Sequence, residues 1–476
     1  MSNDQRYADL SRRSRTAGQD HLLHFWPELD YSQRRELLDD LERIDFAVVP
    51  ALIEQYVRGR PPPVRLERLE PAPRIPAADR FNPDAETRAG LARGEELLRA
   101  GRVAAMVVAG GQGTRLGYDG PKGCLPVTPV RNKPLFQLFA EQLLVAGRRF
   151  GRPVRWYIMT SPTNDAETRD FFRSRRFFGL DAQQVIFFQQ GVMPAFAPDG
   201  RILLDQKHRV ALAPDGHGGS LLAMASRGVL ADMAARGIDC ISYFQVDNPL
   251  VHCVDPLFIG LHDLHASEMS SKCVPKADDR ERVGNFVLAG GRLHVIEYSD
   301  LPDDLAEARN ADGSRRFDAA SPAIHVLSRR FIERLTADPA RFALPWHRAE
   351  KKVACVNLAS GRRTEPDEPN GVKLEAFIFD ALPLAERTLL LETRREEEFS
   401  PVKNATGEDS LETSRRDQVR RAARWLEQAG VRVPRGTDGE PAVPIEISPL
   451  RAREAGDLRD GELPSADAFR GPAYLE

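Results

Sequence analysis

The segment Val107–Val127, VVAGGQGTRLGYDGPKGCLPV, constrains the fold of this chain more than any other segment. It begins at the end of an apolar run, Val103–Val108, which is typical of a buried parallel strand. The loop that follows is rich in glycine, which allows sharp turns and a close approach of backbone to a ligand. Exposed N–H groups, together with Arg115 and Lys122, favour phosphate oxygens. An ordinary strand-to-helix turn with two glycines is the plainer alternative, but the added cations favour a phosphate-binding loop.

Two widespread phosphate motifs do not describe this loop. In the pattern G-x-G-x-x-G the last glycine would fall on Leu116, one residue before Gly117, and no acidic ribose anchor is evident. The P-loop requires Gly-Lys-Ser/Thr, whereas this chain has the order Lys122-Gly123-Cys124. The sequence therefore predicts a phosphate loop of another kind.

A regular alternation of strands and helices follows the start of the loop. The predicted elements are, in order, a strand at Ala104–Val108, a helix at Pro134–Phe150, a strand at Val154–Thr160, a helix at Asp165–Phe177, a strand at Val185–Gln189, a helix at Gly219–Arg236 and a strand at Ile241–Val246. Such alternation predicts an α/β fold on a mostly parallel, Rossmann-like sheet. Because ligands bind beyond the carboxyl ends of such strands, the loop, Gln190 and Asp247 are expected to face one cleft.

The chain has 476 residues, too many for a single core, and three domains are predicted. Residues 1–98 are expected to form a helical N-terminal domain, with Asp30 and Ser32 as candidate helix caps. Residues 99–403 are expected to form the α/β domain that contains the loop. Residues 404–476 are expected to form a small C-terminal α+β domain.

The two outer domains have recognisable elements of their own. In the first, a helix is predicted at Pro83–Ala100, after an extended connector at Pro61–Pro63 and Pro71–Pro76. In the last, the pattern predicts an Arg-rich amphipathic helix at Ser414–Ala429 and β structure at Pro441–Leu450. No chemistry is assigned to the N-terminal residues, which are expected to support the α/β domain.

Charge and composition exclude several classes of partner. The net charge of −3 and the pI near 6.4 argue against nucleic acid or an anionic membrane as the main partner. No apolar window approaches the about 18 residues that a membrane span needs, and the charged N-terminus lacks the apolar core of an export signal. The five cysteines are scattered without a C-x-x-C motif, so a cytoplasmic protein with reduced thiols is expected.

Asp247 ends an apolar strand and precedes Asn248 and Pro249. A carboxylate in that place can hold Mg²⁺ against substrate phosphates, because this hard cation prefers oxygen ligands. An aspartate that only caps the following turn would have the same pattern. The phosphate loop in the same chain favours the metal site.

A second glycine-rich turn, Pro214–Gly219 (PDGHGG), opens a predicted helix. Glycines at the start of a helix allow a ring or a phosphate to come close. A flexible entry loop is the alternative interpretation of this turn.

Five segments together resemble motifs of the UDP-sugar pyrophosphorylases. The matching segments are Gly110–Gly117 (GGQGTRLG), Pro121–Gly123 (PKG), Asn370–Lys373 (NGVK), Phe399–Ala405 (FSPVKNA) and Ile445–Leu450 (IEISPL). With glutamine at position 112, the first of these motifs most resembles the version found in the UDP-N-acetylhexosamine branch. The resemblance covers residues 100 to 410 and the last of these segments, and it is far more specific than a glycine pair alone.

The resemblance implies a uridylyltransferase that makes a UDP-sugar and pyrophosphate from UTP and a sugar 1-phosphate, with Mg²⁺ as cofactor. The implied nucleotide-binding residues are Val108, Ala109, Gly110, Gly111, Lys122, Gln190, Gly216, Asp247 and Lys373. The implied sugar-binding residues are His217, Glu297, Tyr298, Ser321 and Lys403. Arg115 and Lys122 would stabilise the leaving pyrophosphate, Lys403 would hold the attacking sugar phosphate, and Asp247 would bind the metal.

Two other functions compete with this one. A nucleotide-sugar glycosyltransferase also uses a nucleotide-binding α/β sheet, but such enzymes often hold metal with Asp-x-Asp, which this chain lacks. A sensor that binds a nucleotide sugar without turnover has less need of the four charges at Lys122, Asp247, Lys373 and Lys403.

The sugar is the point at which this chain departs from the family. The hexosamine enzymes usually have asparagine where this chain has His217, and a second asparagine where it has Ser321. Histidine in the turn resembles UDP-glucose and broad UDP-sugar pyrophosphorylases instead. We therefore expect no strong preference for an N-acetylhexosamine over a plain hexose 1-phosphate. The alternative is that these two positions have changed by sequence drift and that neighbouring residues compensate for the lost contacts. The sequence determines neither the sugar nor the oligomeric state.

Overall fold

A computed structural model of the chain describes residues 2–59, 68–338, 342, 344–459 and 462–476. The helices are α1 (Asn3–Thr16), α2 (Tyr31–Glu42), α3 (Val49–Leu52), α4 (Ala85–Arg99), α5 (Leu135–Phe150), α6 (Asp165–Ser174), α7 (Ser220–Ser226), α8 (Val229–Ala235), α9 (Pro256–Leu264), α10 (Asp303–Ala306), α11 (Arg329–Leu335), α12 (Arg395–Glu398) and α13 (Leu411–Gln428). The strands are β1 (Glu70–Pro71), β2 (Val103–Val108), β3 (Arg155–Thr160), β4 (Val185–Gln189), β5 (Val192–Pro194), β6 (Leu204–Gln206), β7 (Arg209–Val210), β8 (Leu212–Pro214), β9 (Cys240–Gln245), β10 (Met269–Pro275), β11 (Asn285–Ala289), β12 (Arg292–Ile296), β13 (Ala319–Ala320), β14 (His325–Ser328), β15 (His347–Lys351), β16 (Cys355–Val356), β17 (Arg363–Thr364), β18 (Gly371–Glu375), β19 (Thr388–Glu392), β20 (Ile445–Ile447) and β21 (Ala473–Leu475).

The chain forms two compact units, each of which is described by itself. The first unit contains the described residues of Met1–Leu66, Gln190–Ser226 and Leu335–Ala381, and the second those of Glu67–Gln189, Arg227–Arg334 and Leu382–Glu476. The boundary expected near residue 98 does not coincide with a boundary between these units, because the second unit begins at Glu67 and includes α4. The division into three domains stays a prediction.

The second unit is built around one large sheet. In the described residues, eleven strands pair in the order β1-β11-β13-β10-β14-β9-β2-β3-β4, with β12 beside β11 and β19 beside β10. Strands β2, β3, β4 and β9 are parallel, β10 is parallel to β19, and β14 is antiparallel to both β9 and β10. The predicted α/β fold with a mostly parallel, Rossmann-like sheet is confirmed. The antiparallel extension formed by β1, β11, β12 and β13 was not predicted.

Neighbouring parallel strands end together at one edge of this sheet. Val108 pairs with Met159 and with Gln245, and Thr160 pairs with Gln189. Because these strands are parallel and in register, the segments that follow β2, β3 and β9 leave the sheet side by side. The phosphate loop and Asp247 therefore begin at adjacent strand ends.

The helix predictions in this region are confirmed with one exception. Helices α5 and α6 bury aromatic side chains such as Phe139 and Phe172 against β2 and β3, as their apolar spacing indicates. The single helix expected at Gly219–Arg236 is wrong, since the structure has α7 and α8 instead. Gly228 adopts the left-handed conformation with φ 79° and interrupts the helix.

The N-terminal helices form the core of the first unit. Asp30 caps α2 by accepting a hydrogen bond from Gln33 N at 2.9 Å, and the Gln33 side chain accepts in turn from Asp30 N. Ser32, the other candidate cap, lies inside the first turn of α2, so that prediction is wrong. Leucines of α2 pack against Phe196 and Val372 in one buried cluster.

The connector and the C-terminal elements were partly predicted. The connector residues Pro61–Pro63 lie outside the described residues, whereas Glu70–Pro71 is extended, as expected. At the C-terminus, α13 packs Trp425 and Leu426 against a parallel pair of strands, β20 and β21. Helix α4 and helix α13 match the predicted helices within two or three residues. In the described chain, no helix has both the length and the apolar character required to cross a bilayer.

Candidate functional site

The phosphate loop, Ala109–Cys124, is folded on itself by backbone hydrogen bonds. Gly113 N donates to Gly120 O at 2.8 Å, and Lys122 N donates to Gly111 O at 3.1 Å. In the described part of the chain, the N–H groups of Gly110, Gly111 and Gln112 have no acceptor. These donors at the end of β2 are therefore available to an anion, as the sequence predicts.

A glycine fixes the base of the loop against α5. A Cβ at Gly123 would lie 2.1 Å from the Phe136 ring, so any side chain there would push the turn away. The turn Lys122–Cys124 therefore packs directly on the helix. Lys122 is held at this fixed turn and is only partly exposed.

Asn164 supports the loop and was not singled out from the sequence. Its side chain is fully buried, and its Nδ2 donates to Ala109 O at 2.9 Å and to Gly111 O at 3.4 Å. Its Oδ1 accepts from Ser161 N at 2.8 Å, which ties the loop to the end of β3. The sequence pattern gave no signal for this role, because asparagine is common in loops and the bond spans more than fifty residues.

The two cations of the loop form no ion pair with any described residue. Arg115 is exposed and Lys122 is half-buried, and neither has a carboxylate within 4.0 Å among the described residues. Two such cations in a loop with free N–H groups are typical of an anion site.

Asp247 lies where the sequence predicts, directly beyond β9. Val246 N donates to Val108 O at 3.1 Å, which extends the pairing of β9 and β2 up to Asp247. The Asp247 carbonyl accepts from Val402 N at 2.8 Å. Its half-buried carboxylate has no cation or donor among the described residues. The same turn thus presents a carboxylate and binds the segment that leads to Lys403.

Lys403 is held in an ion pair. Its Nζ lies 3.4 Å from Asp409 Oδ2 and 5.5 Å from the centre of the Phe399 ring. Its backbone N donates to Asp409 O at 2.6 Å. Asp409 has a φ of 53°, a conformation that non-glycine residues seldom adopt. The side chains of this pair are more than one third exposed, so a competing anion can reach the ammonium.

Glu297 and Ser321 come together on either side of Gly284. Ser321 N donates to Gly284 O at 2.9 Å, and a Cβ on Gly284 would lie 3.7 Å from Glu297 Oε1. The pairing of β11 with both β12 and β13 places the three residues side by side. A Cβ on Gly284 would lie 2.7 Å from Val295 Cγ1, so the glycine allows close packing beside two predicted sugar-binding residues, and sequence reasoning missed it. Tyr298, which is also a predicted sugar-binding residue, is 49 % exposed.

The first unit brings together the second glycine-rich turn and β18. Gly216 has a φ of 84°, and a Cβ there would lie 2.4 Å from Ala376 O. Gly218 N donates to the same carbonyl at 2.8 Å. Lys373 lies in β18 three residues before Ala376, is half-exposed and has no ion pair among the described residues. The turn and the predicted phosphate-binding lysine are therefore neighbours in this unit.

Gln190 and Asp215 are buried in the same unit, at 6 % and 5 % exposure. Asp215 N donates to Gly191 O at 3.4 Å, and the Asp215 carboxylate fills the space that a Cβ on Gly191 would need. Burial raises the pKa of Asp215 to about 7, and its Oδ1 has no partner in the described chain. Sequence reasoning did not single out this carboxyl.

His217 is a neutral imidazole with a defined tautomer. Burial, with a smaller contribution from His347, lowers the pKa of His217 to about 4. Its Nδ1 accepts from Ile378 N at 3.1 Å, so the ring proton resides on Nε2. The ring stacks on Phe377 with centroids 5.2 Å apart. His217 therefore offers one fixed hydrogen-bond donor at a turn that the sequence assigns to the sugar.

A cluster of metal-ligand residues in the second unit is already occupied by an ammonium group. His252, Asp255 and Glu398 each place a ligand atom within 4.8 Å of the others. Lys272 Nζ lies 2.7 Å from Asp255 Oδ2 and 2.5 Å from Glu398 Oε1. Since Lys272 and Arg80, which lies 2.7 Å from Asp255 Oδ1, together supply two positive charges for the two carboxylates, the cluster is structural and does not compete with Asp247 as a metal site.

Together these features define a class of protein. Unpaired cations and free N–H groups lie in a glycine-rich loop at the carboxyl edge of a mostly parallel sheet, which is the arrangement of a nucleotide-binding α/β protein. The profile of the UTP–glucose-1-phosphate uridylyltransferase family matches residues 66–417, and the chain belongs to this family. This membership confirms the predicted family and enzyme class, the nucleotidyltransferases of the UDP-sugar pyrophosphorylase type.

Individual relatives agree with this assignment. The UDP-N-acetylhexosamine pyrophosphorylase-like protein 1 of Homo sapiens is 37 % identical over 481 residues, which cover 94 % of this chain and 93 % of the relative. The UDP-N-acetylglucosamine pyrophosphorylase of Saccharomyces cerevisiae is 36 % identical over 444 residues, 88 % of this chain and 91 % of the relative. The crystal structure of the uridine diphosphate N-acetylglucosamine pyrophosphorylase of Trypanosoma brucei, in complex with an inhibitor, has a TM-score of 0.80 at 26 % identity and covers 96 % of this chain and 94 % of that chain.

Proposed function

We propose that the protein transfers a uridylyl group from UTP to a sugar 1-phosphate and releases pyrophosphate. The observation that carries this proposal is that the phosphate loop and Asp247 begin at adjacent strand ends, and that Arg115 and Lys122 of the loop form no ion pair among the described residues. The sugar phosphate oxygen attacks the α-phosphorus in line, the bond from this phosphorus to the bridging oxygen breaks, and pyrophosphate leaves. Because the protein forms no covalent bond, it contributes positioning and charge neutralisation.

The loop stabilises the leaving group. Negative charge builds up on the pyrophosphate oxygens as the bond breaks, and preorganised donors lower the energy of that charge. Arg115 and Lys122 are the side chains in this role, with the N–H groups after Val108 as additional donors. The backbone bonds that close the loop and the support from Asn164 keep these donors in place before substrate binds.

Lys403 holds the attacking phosphate. Its ammonium is paired with Asp409 at 3.4 Å, and the pair is partly exposed, so exchange of the carboxylate for a phosphate costs little. A phosphate dianion carries more charge than a carboxylate and therefore competes well for the same ammonium. Glu297 and Ser321, on either side of Gly284, are the residues proposed to contact the sugar in the second unit.

Mg²⁺ is the proposed cofactor, and Asp247 is its proposed protein ligand. The fit rests on the unpartnered, half-buried carboxylate of Asp247, since Mg²⁺ commonly takes one or two carboxylates together with substrate phosphates. When bound, the ion supplies positive charge that offsets the charge of the phosphates.

Within the first unit, Gln190, Gly216 and Lys373 are the residues proposed to bind the nucleotide. Gln190 is proposed to read the uracil edge, because an amide can donate to one atom and accept from another. Gly216 allows the base to approach because it has no Cβ, and Lys373 is proposed to meet the nucleotide phosphates. The free, scattered cysteines are typical of a reducing compartment, so the cytoplasm is the proposed location.

Exchange of labelled pyrophosphate tests the reaction directly. We expect Mg²⁺-dependent incorporation of labelled pyrophosphate into UTP when a UDP-sugar is present, because the phosphoanhydride exchange is reversible. A glycosyltransferase would transfer the sugar without forming UTP, and a sensor would do neither. If no UDP-sugar supports exchange with any divalent metal, the enzyme function is refuted.

The sugar preference follows from His217 and Ser321. We expect no strong preference for N-acetylglucosamine 1-phosphate, with glucose 1-phosphate or another plain hexose 1-phosphate used at least comparably, because two contacts to the sugar and its N-acetyl group, of about 0.5–1.5 kcal/mol each, are lost. Measuring both substrates side by side decides this. A preference of more than about a hundredfold for the N-acetyl sugar would contradict the expectation and leave the uridylyl transfer untouched.

A pair of reverting substitutions provides the control. His217→Asn together with Ser321→Asn restores the asparagines that the resemblance expects, and should shift the ratio toward the N-acetyl sugar by about 10- to 100-fold. Asn357→Ala, in an exposed turn of the first unit, should leave the ratio unchanged.

A further inference from the structure

Asn248 connects two segments that carry proposed functional residues. Its side chain is 3 % exposed, and its Nδ2 donates to Glu398 O at 2.7 Å. Its Oδ1 accepts from Ser400 N and from Leu250 N, both at 3.2 Å. One amide therefore fixes the turn after β9 and the segment that runs from Glu398 toward Lys403.

A backbone hydrogen bond completes this connection. Val402 N donates to Asp247 O at 2.8 Å. Asp247 directly precedes Asn248, and Lys403 directly follows Val402. Asp247 thus accepts one of the bonds that join the two segments, and Lys403 lies one position away from the same bond. We call the five residues of this connection, Asp247, Asn248, Glu398, Ser400 and Val402, the clasp.

The clasp is attached to the rest of the second unit at two points. Both carboxylate oxygens of Glu398 accept from Lys272 Nζ, at 2.5 and 2.6 Å, and these side chains are almost completely buried. Ser400 O accepts from Ser414 Oγ of α13 at 2.9 Å. Because the residues of both attachments are buried and hydrogen-bonded, the clasp links the positions of Asp247 and Lys403 to the rest of the unit.

We infer that Asn248 is a positioning residue that keeps the metal-binding carboxylate and the ammonium for the sugar phosphate at a fixed separation. This inference rests on the proposed roles of Asp247 and Lys403. The separation matters because in-line attack requires the nucleophile to be held close to a phosphorus whose own position depends on the metal. A residue that orients such groups typically changes affinity or activity by 10- to 100-fold when it is removed.

A double-mutant cycle distinguishes positioning from a general structural role. In the wild-type background, Asn248→Ala should raise the KM for the sugar 1-phosphate and the Mg²⁺ concentration for half-maximal rate, each by about 10- to 100-fold. In the Lys403→Ala background, the same substitution should no longer change the KM for the sugar 1-phosphate, because the ammonium it positions is absent. It should still raise the Mg²⁺ requirement through Asp247.

A matched control comes from another buried amide. Gln19 is 3 % exposed, donates to Gly200 O at 3.1 Å and accepts from Ile202 N at 2.8 Å, so it also joins two segments of the chain. Gln19→Ala should lower the thermal stability. It should leave the KM for the sugar 1-phosphate and the Mg²⁺ concentration for half-maximal rate within about twofold of the wild-type values. If Asn248→Ala does not fold, Asn248→Ser, which keeps an uncharged hydrogen-bonding group, carries the same cycle.

The outcomes separate this inference from the proposed function. A wild-type protein that forms no UDP-sugar refutes the function and the inference with it. With an active wild type, positioning is supported if the effect of Asn248→Ala on the KM for the sugar 1-phosphate disappears in the Lys403→Ala background while its effect on the Mg²⁺ requirement remains. The inference is overturned, while the function stands, if the KM for the sugar 1-phosphate rises by the same factor in both backgrounds, or if the folded Asn248 variant shows an unchanged KM and an unchanged Mg²⁺ requirement.

Discussion

Lys122→Ala is expected to lower kcat/KM for UDP-sugar formation by roughly two to four decades, the range for removing one preorganised charge from a transition state. The ammonium lies in a turn that Gly123 packs against α5, and no carboxylate among the described residues neutralises it. Its charge is therefore available in full to the leaving pyrophosphate. Because this charge is needed most when the bond breaks, kcat should fall more than the KM for UTP rises.

Two further substitutions make this result interpretable. Lys122→Arg keeps the charge at a different geometry and should recover part of the activity. Lys207→Ala removes an exposed lysine that pairs with Glu28 at 2.6 Å in the first unit, and should leave kcat/KM within about twofold of the wild type. A fully active Lys122→Ala enzyme would show that the loop binds a different ligand.

Lys272→Met is expected to reduce the free energy of unfolding by about 3–5 kcal/mol, since it leaves buried carboxylates without their cation. Lys272 Nζ contacts Asp255 and Glu398, and all three side chains are at most 3 % exposed. Asp255 keeps Arg80 as a partner, whereas Glu398 keeps the hydroxyl of Thr393. The loss should therefore come chiefly from Glu398. Urea unfolding followed by tryptophan fluorescence measures it.

A surface ion pair supplies the control for this measurement. Lys207→Met breaks the exposed pair with Glu28 and should cost less than about 1 kcal/mol. A Lys272→Met protein as stable as the Lys207→Met protein would show that the buried cluster contributes little.

The free energy of unfolding should change with pH in opposite directions in the wild type and in Lys272→Met. In the wild type, burial acts to raise the pKa of Glu398, but the charge of Lys272 lowers it below its usual value. The cluster thus stabilises the protein above the pKa of an unfolded glutamate and loses this contribution as acid protonates the folded carboxylate. Without Lys272, the largest influence that opposes burial is gone and the pKa of Glu398 should rise, so the defect should shrink from about pH 7 to about pH 5 as the carboxyl takes up a proton. A defect that grows in this range would contradict this account.

Short-range patterns account for the parts of the fold that were predicted. The apolar run before the loop, the spacing of aromatic residues in α5 and the capping box at Asp30 each depend on residues within a few positions of one another. The helix expected at Gly219–Arg236 failed for a local reason too, because Gly228 adopts a left-handed conformation that periodicity does not reveal. The antiparallel strands β11 to β13 were missed because their pairing is non-local.

The sequence by itself determined the α/β class, the phosphate loop and the family, because the motifs for them are contiguous and chemically specific. Only the tertiary structure decided which residues hold these motifs in place. Asn164 and Asn248 bond to backbone atoms that lie more than fifty residues away in the chain, and Gly284 has no room for a Cβ only because β12 pairs with β11 and brings Val295 against it. A hydrogen bond depends on distance in space, and the spatial neighbours of a buried amide are fixed by strand order and register, which no local pattern encodes.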